Sequence, residues 1–156
     1  MTAVDTALFK PELTFIDFEA SDRFDLIARL GERLAPAGYI RDSWLDAILE
    51  RERLYPTGLD CGSIRVAIPH VGPQHIARPY IAVIRPAHPI EFEGMAGLPA
   101  VQAELIVNLG LQGHEDSQVK ALQALMGLFA DTAAVRDISR QTTPDGLLSA
   151  LLRRIG

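Results

Sequence analysis

The sequence has little cysteine, no excess of positive charge and no long apolar run, and each shortage excludes a class of protein. Cys61 is the single cysteine among 156 residues. One cysteine forms neither an internal disulfide framework nor a multi-cysteine zinc site. We therefore expect the protein to be located in the reducing cytoplasm. The formal net charge of -5 supplies no basic surface to neutralise phosphates, and nucleic acid is therefore not an expected partner.

No segment approaches the ~18 consecutive apolar residues that a membrane-spanning helix requires. The chain also opens without a basic stretch followed by an apolar one, the pattern of a secretion signal. We therefore expect a protein that is neither exported nor inserted into a membrane. Hydrophobic residues make up 48% of the sequence, and no internal repeat or linker-like tract divides it. A single domain over residues 1-156 is the expectation.

Apolar residues recur at helical spacing in some segments and form nearly continuous runs in others. The predicted helices begin near Ser21 or Asp22, Asp42 or Ser43, Asp116 or Ser117, and Pro144. The predicted strands cover residues 13-18, 64-68, 80-84 and 103-111, and residues 88-97 suggest a short edge segment and turn. Runs that are apolar throughout are typical of central strands covered on both faces. The pattern predicts an α/β fold, a single-domain sandwich with a central mixed β-sheet covered by helices on both faces.

A histidine stands directly after one of the apolar runs, in VAIPHVGPQH. His70 should lie where a buried strand leaves the core, the place where open α/β sheets bind ligands. Pro69 removes a backbone donor and fixes φ, which ends the strand and stiffens the approach to the imidazole. A neutral imidazole nitrogen is a competent nucleophile near neutral pH, so His70 is a candidate for covalent catalysis. A histidine that only makes a loop hydrogen bond is the alternative.

Arg51 lies at the end of the second predicted helix, in LERERLYPTG, shortly before the turn that leads to His70. One interpretation is a solvated arginine that favours a helix C-terminus. The other is a guanidinium that binds the oxygens of a phosphorylated imidazole through two N–H groups. The sequence around Arg51 does not decide between these two interpretations.

The remaining histidines and Cys61 carry weaker signals. His70 and His75 fit no compact zinc spacing, and Cys61 with them would leave a site one ligand short, so we predict no metal. Without a glycine-rich phosphate-binding motif we also predict no cofactor. His75 is interpreted as a surface loop residue. His114 precedes a predicted helix N-terminus, which favours anions, and is either a second catalytic histidine or a loop residue.

Four segments, in this order, resemble the EIIA component of the bacterial sugar phosphotransferase system (PTS). They are RERLYPTGL, VAIPHVGPQHI, RPYIAVIRPAHPIEFEGMAG and SQVKALQALMGLFAD. The similarity is to the fructose and mannitol superfamily, and within it most closely to the galactitol-type branch. The resemblance implies that His70 accepts a phosphoryl group from the phosphocarrier protein HPr and passes it to a cysteine of an EIIB component. It also implies that the protein works during sugar uptake beside a membrane EIIC.

The resemblance assigns supporting residues as well. Arg51 falls on the family arginine that helps to hold the phosphoryl group. Mannitol and fructose members carry a second histidine in the helix that here begins near Ser117, and Gln118 occupies that position, as in galactitol-type members. We expect the Gln118 amide to orient His70. His114 is out of register by one turn, and no role is assigned to it, to His75 or to Cys61.

Because both partners must dock in turn on the same surface, we expect an exposed apolar patch around His70, with Val71 and Ile76 as contributors. A regulatory EIIA-like protein of the nitrogen-related type, whose phosphorylation state controls a partner protein, is the alternative function. The sequence indicates no particular sugar, since an EIIA component does not contact it.

Overall fold

The computed structural model describes residues 5–113 and 115–155, and the side chains of all of these except 115–117. Its strands are β1 (Phe9–Phe18), β2 (Gly58–Asp60), β3 (Arg65–Ala67), β4 (Tyr80–Pro86), β5 (Ile90–Phe92), β6 (Val101–Ala103) and β7 (Leu105–Gly110). Its helices are α1 (Arg23–Leu34), α2 (Trp44–Leu54), α3 (Glu115–Ala130), α4 (Thr132–Arg140) and α5 (Pro144–Ile155). Within those ranges, no helix is long and apolar enough to cross a lipid bilayer.

Five of the strands form one mixed sheet in the order β1-β4-β7-β3-β2. β1 runs parallel to β4 and β3 runs parallel to β7, whereas β4 with β7 and β2 with β3 are antiparallel. β5 and β6 form a separate antiparallel pair. The central strands β4 and β7 are the two that the sequence predicted from their continuous apolar runs, and the predicted mixed sheet is confirmed.

The sheet separates two apolar clusters, one on each face. Successive residues of β3 and its extension alternate between them, with Val66 and Ile68 packed in one cluster and Ala67 in the other. The first cluster includes apolar residues of α3, α4 and α5, and the second includes those of α1 and α2. The predicted cover of helices on both faces is therefore confirmed.

Two predicted helix caps have different outcomes. At the start of α1, Asp22 acts as the N-cap, and its carboxylate accepts the backbone N–H of Asp25 at 2.7 Å. Ser43 precedes α2 as predicted, but its side chain makes no cap hydrogen bond. The Ser43 hydroxyl lies instead 2.8 Å from Nδ1 of His75, because the loop before β4 folds back against the start of α2.

Several elements differ from the sequence-based expectation. The predicted strand 103-111 is divided at Glu104, where β6 pairs with β5 and β7 with β4; the Glu104 carboxylate accepts the backbone N–H of Arg65 at 3.0 Å. The sequence did not predict α4, a short helix capped by Asp131. Three apolar residues that recur at helical spacing in the second and third predicted helices are exposed, namely Leu45, Val119 and Met126. Each helix buries only the residues on the side that packs on the sheet, so fewer of its apolar residues are buried than the sequence predicted.

Candidate functional site

His70 lies where the chain leaves the sheet, as the sequence predicted. β3 ends at Ala67, Ile68 remains fully buried, and His70 forms an isolated parallel bridge with Leu109 of β7. Pro69 is the residue between the buried backbone and the imidazole, which is only partly buried. The imidazole thus lies just beyond the end of β3, with backbone on one side of it and solvent on the other.

The hydrogen bonds of His70 determine which ring nitrogen is free. Nδ1 lies 2.8 Å from the carbonyl oxygen of Ile68, and because a carbonyl only accepts, Nδ1 carries the proton. Nε2 therefore keeps its lone pair. Burial lowers the pKa of His70 from 6.5, and the positive charge of Arg51 lowers it further, against the opposing effect of the bond to Ile68. The imidazole is consequently neutral and nucleophilic near neutral pH.

Arg51 places a cation beside that free nitrogen. Its Nη2 atom is 3.4 Å from Nε2 of His70. Arg51 belongs to the last turn of α2, and its guanidinium also lies over the ring of Tyr55, 5.6 Å from the ring centre. The structure thus brings together the two residues that the sequence singled out, a neutral nucleophile and a fixed positive charge with N–H groups to spare.

Gln118 lies in the first turns of α3 and reaches the residue that follows the histidine. Its side-chain amide donates to the carbonyl of Val71 at 3.1 Å. Gln118 therefore acts on the backbone next to His70. The other residue considered in this segment, His114, lies outside the described residues.

A buried polar pair holds the backbone before the histidine, and sequence reasoning missed it. Asn108 of β7 is fully buried, and its amide donates to the carbonyl of Pro69 at 2.9 Å. Its own carbonyl accepts the hydroxyl of Tyr80 at 2.5 Å. Burial raises the pKa of Tyr80, which keeps the hydroxyl protonated as a donor. A lone asparagine inside the apolar run AELIVNLGL is the signal that could have indicated such a role.

Sequence reasoning also missed a buried carboxyl group. Glu52 is 2% exposed and accepts both the backbone N–H and the hydroxyl of Thr57, at 2.9 and 3.0 Å. The Thr57 hydroxyl oxygen in turn accepts the backbone N–H of Ile68 at 3.2 Å. Burial raises the pKa of Glu52 to about 7, against the opposing effect of its bonds to Thr57. Ile68, whose carbonyl accepts the imidazole N–H, is thus bonded through its own backbone N–H to Thr57 of the PTG turn.

His75 and Cys61 lie apart from this arrangement. His75 is bonded to Ser43, and burial together with Asp60 raises the pKa of the Cys61 thiol, which disfavours a reactive thiolate. In the part of the chain that the structure describes, no three histidine, cysteine or acidic side chains gather as ligands for a metal ion.

The expected apolar patch around His70 has different members. Val71 and Ile76 are buried in the cluster beneath α1 and α2, so the prediction that they form an exposed surface is wrong. The segment after Pro69 turns back over the sheet, which directs these side chains inward. The exposed apolar residues flanking the site are Leu54, Tyr55 and Val119. Tyr55 is 65% exposed beside Arg51, and Val119, 50% exposed, follows Gln118.

The chain is similar to known proteins over nearly its whole length. The galactitol-specific EIIA component of Escherichia coli K12 is 27% identical over 106 residues, which cover 68% of this chain and 70% of that protein. Enzyme IIAMTL, solved in complex with phosphorylated enzyme IIBMTL from Escherichia coli, superposes with a TM-score of 0.72 at 22% identity and covers 94% of this chain and 100% of that one.

A nitrogen regulatory protein, IIA-Ntr from Neisseria meningitidis, has the same fold, with a TM-score of 0.73 at 21% identity over 94% of this chain and 97% of that one. The family model described as "Phosphoenolpyruvate-dependent sugar phosphotransferase system, EIIA 2" matches residues 7–153. A match of this extent covers every strand of the sheet and the whole arrangement around His70. The chain therefore belongs to the EIIA 2 family of the phosphoenolpyruvate-dependent sugar phosphotransferase system, whose members serve in phosphoryl transfer.

Proposed function

We propose that this protein accepts a phosphoryl group from an HPr-like phosphocarrier on Nε2 of His70 and passes it to a cysteine of an EIIB component during sugar uptake. The single observation that carries the proposal is the state of the imidazole. Its Nδ1–H is committed to the carbonyl of Ile68, and its free Nε2 faces Arg51 at 3.4 Å. The family contributes the reaction type, phosphoryl transfer in a sugar PTS.

The acceptance step needs no proton transfer by the protein. The Nε2 lone pair forms the P–N bond in line while the bond from phosphorus to the carrier's leaving group breaks, and that electron pair stays with the leaving group. The ring then carries a positive charge, because both nitrogens are substituted. The carbonyl of Ile68 stabilises this charge through the Nδ1–H bond.

Arg51 and Gln118 support the same step in different ways. The Arg51 guanidinium stabilises the charge on the phosphoryl oxygens as they approach Nε2. Gln118 fixes the backbone of Val71 and so limits movement of the neighbouring imidazole. The phosphoryl group afterwards leaves to a thiolate of EIIB, as the P–N bond breaks and Nε2 regains its lone pair.

The surface around His70 supports a role in successive protein contacts. Tyr55 exposes its ring beside the charged Arg51, and Leu54 and Val119 are exposed next to Tyr55 and Gln118 in the sequence; apolar groups beside an arginine are typical of protein interfaces. An EIIB partner is further supported by the IIAMTL structure, which was solved with phosphorylated IIBMTL. We also propose that residues 1-156 form one EIIA domain, since both apolar clusters pack on the same sheet. We further propose that this domain acts beside a membrane EIIC.

A regulatory role is less well supported. The likeness to the nitrogen regulatory IIA-Ntr is at 21% identity and concerns the fold alone. The galactitol-specific relative is named as an EIIA component of a PTS.

Labelling tests the proposal. The protein is incubated with radiolabelled phosphoenolpyruvate, Enzyme I and HPr, and then with purified EIIB. Wild type and His75→Ala should take up label and release it to EIIB, whereas His70→Ala should take up none. Full labelling of His70→Ala would overturn the assignment, and a labelled protein that transfers to no EIIB would favour the regulatory role.

A further inference from the structure

The buried carboxyl of Glu52 stands at the far end of a hydrogen-bond chain that reaches the imidazole of His70. Glu52 accepts the Thr57 hydroxyl, the Thr57 oxygen accepts the N–H of Ile68, and the carbonyl of Ile68 accepts Nδ1–H of His70. The distances along this chain are 3.0, 3.2 and 2.8 Å. One hydroxyl and one main-chain segment thus connect the carboxyl to the ring.

Burying this carboxyl is costly for folding, although it accepts two groups of Thr57. Glu52 is 2% exposed, and an ionised carboxylate that is removed from water without a cationic partner costs folding free energy. The charged groups that act on it are Arg23 of α1 and Glu93, which follows β5, and they oppose one another. Arg23 is also engaged with Glu93, 3.5 Å away. Burial is the largest influence and places the pKa of Glu52 at about 7.

The protonation state of Glu52 decides the direction of the first hydrogen bond. A hydroxyl has one hydrogen to donate and lone pairs to accept. When Glu52 is ionised, Thr57 must donate to it, and its lone pair faces the N–H of Ile68. When Glu52 is protonated, the carboxyl can donate to the same oxygen instead of accepting from it, which leaves the Thr57 hydrogen free to turn to another acceptor. The bond to Ile68 is then no longer enforced.

We propose that Glu52 is a positioning residue for His70, which in its ionised form locks Thr57 and Ile68 so that Nδ1–H stays bonded and Nε2 stays directed at Arg51. The inference rests on the proposed function, in which His70 Nε2 is the phosphoryl acceptor. Its consequence is a pH dependence that His70 alone does not give. The rate at which His70 accepts the phosphoryl group should increase as pH rises through neutrality. This range lies above the one in which the imidazole itself loses its proton.

The geometry of the ring can be followed without any phosphorylation. With 15N-labelled histidine, the two His70 nitrogen resonances of the full-length protein are recorded against pH. In the wild type we expect the inflection of the imidazole itself and a second inflection near pH 7 from Glu52. Glu52→Gln, which imitates the protonated carboxyl, should lose the second inflection and keep the first. A folded Glu52→Gln whose curve superposes on that of the wild type would overturn the inference.

Substitutions of Thr57 test the same chain without touching the carboxyl. Thr57→Val removes the hydroxyl at nearly constant volume and should abolish the second inflection, while Thr57→Ser should keep it. Thr14→Val is the matched control, because Thr14 is a buried threonine of β1 whose hydroxyl donates to the carbonyl of Lys10. Loss of the inflection in Thr57→Ser or Thr14→Val, or its persistence in Thr57→Val, would contradict a role for this hydroxyl.

The rate of phosphoryl acceptance separates this inference from the proposed function. Initial labelling rates from HPr should rise through neutral pH in the wild type and Thr14→Val, and should lack that rise in Glu52→Gln. Equal profiles in wild type and Glu52→Gln would remove the positioning role and leave His70 as the acceptor. Absence of label at His70 in the wild type would remove the proposed function, while the nitrogen resonances would still show whether Glu52 controls the ring.

Discussion

The Nη2 atom of Arg51 lies 3.4 Å from Nε2 of His70, the nitrogen that the Ile68 carbonyl leaves unprotonated. A cation at this distance disfavours protonation of the imidazole and attracts the oxygens of an arriving phosphoryl group. In the proposed transfer, this one contact keeps the imidazole neutral and also stabilises the charge on the phosphoryl oxygens.

The first prediction concerns the pKa of His70. Burial and Arg51 both lower it, so the histidine should titrate below 6.5 in an NMR titration. Arg51→Ala should raise the pKa by removing the charge, while Arg51→Lys should keep it nearer the wild-type value. An unchanged or lower pKa in Arg51→Ala would contradict the electrostatic contact.

Arg51→Ala should also slow phosphoryl acceptance while leaving the free energy of unfolding nearly unchanged. The guanidinium lies at the surface beside Tyr55, so its removal uncovers little apolar area. Arg51→Lys should recover only part of the rate, because a single ammonium lacks the planar pair of donors. Wild-type labelling rates in Arg51→Ala would return Arg51 to the role of a solvated helix-end residue.

A third prediction follows from the burial of Glu52. Its pKa is raised from 4.5 to about 7, so the folded protein holds this proton more tightly than the unfolded chain does. The associated stability is fully present below pH 4.5 and is lost as pH rises through 7, a total of about 3 kcal/mol.

Urea unfolding at several pH values measures that loss. Glu52→Gln should flatten the decline in the free energy of unfolding between pH 4.5 and 7. Glu12→Gln, at an exposed position of β1, is the matched control and should leave the decline in place. A decline of the same size in Glu52→Gln would show that another group is responsible.

The contact of Tyr80 with β7 gives a fourth prediction. A Cβ added at Gly110 would overlap the ring of Tyr80, which is buried beside Asn108. Gly110→Ala should therefore lower the free energy of unfolding by about 1–3 kcal/mol. Gly127→Ala is the control in α3, where an added Cβ meets nothing within 4 Å, and helix propensity predicts a gain of up to about 1 kcal/mol. Equal effects of the two substitutions in thermal or urea unfolding would contradict this packing.

The exposed apolar residues beside Arg51 give a fifth prediction. Tyr55→Ser should raise the EIIB concentration needed for half-maximal transfer, because the ring is 65% exposed in the proposed docking surface. Leu45→Ser is the control, since Leu45 is an exposed apolar residue in the first turn of α2, about 9 Å from Arg51 along the helix axis. The control should transfer normally, and an equal defect in both variants would point to a general loss of structure.

Features that depend on residues adjacent in the sequence could be predicted from the sequence. Pro69 indicated by local chemistry that the strand stops before His70, and β3 does end at Ala67. The continuous apolar runs of β4 and β7 identify them as central strands. The resemblance to EIIA components chose between the two interpretations of Arg51 and added Gln118; the positions of both depend on how α2 and α3 dock on the sheet.

Residues whose partners are distant in sequence were not predictable. Asn108 meets Pro69 across 39 positions, and only the pairing of β7 with the end of β3 brings them together. In the sequence, Glu52 resembles an ordinary charged residue of an amphipathic helix, and only the fold of the PTG turn places Thr57 against it. The end of a strand predicts a surface position for Val71, yet the chain turns inward there.

The account depends most directly on where the phosphoryl group is bound. After phosphorylation by phosphoenolpyruvate, Enzyme I and HPr, the protein labelled with 15N-histidine is examined by NMR for coupling between phosphorus and nitrogen. We predict one coupled nitrogen, Nε2 of His70, with Nδ1 still protonated and bonded to the carbonyl of Ile68. Coupling to Nδ1, or to a nitrogen of another histidine, would contradict the account.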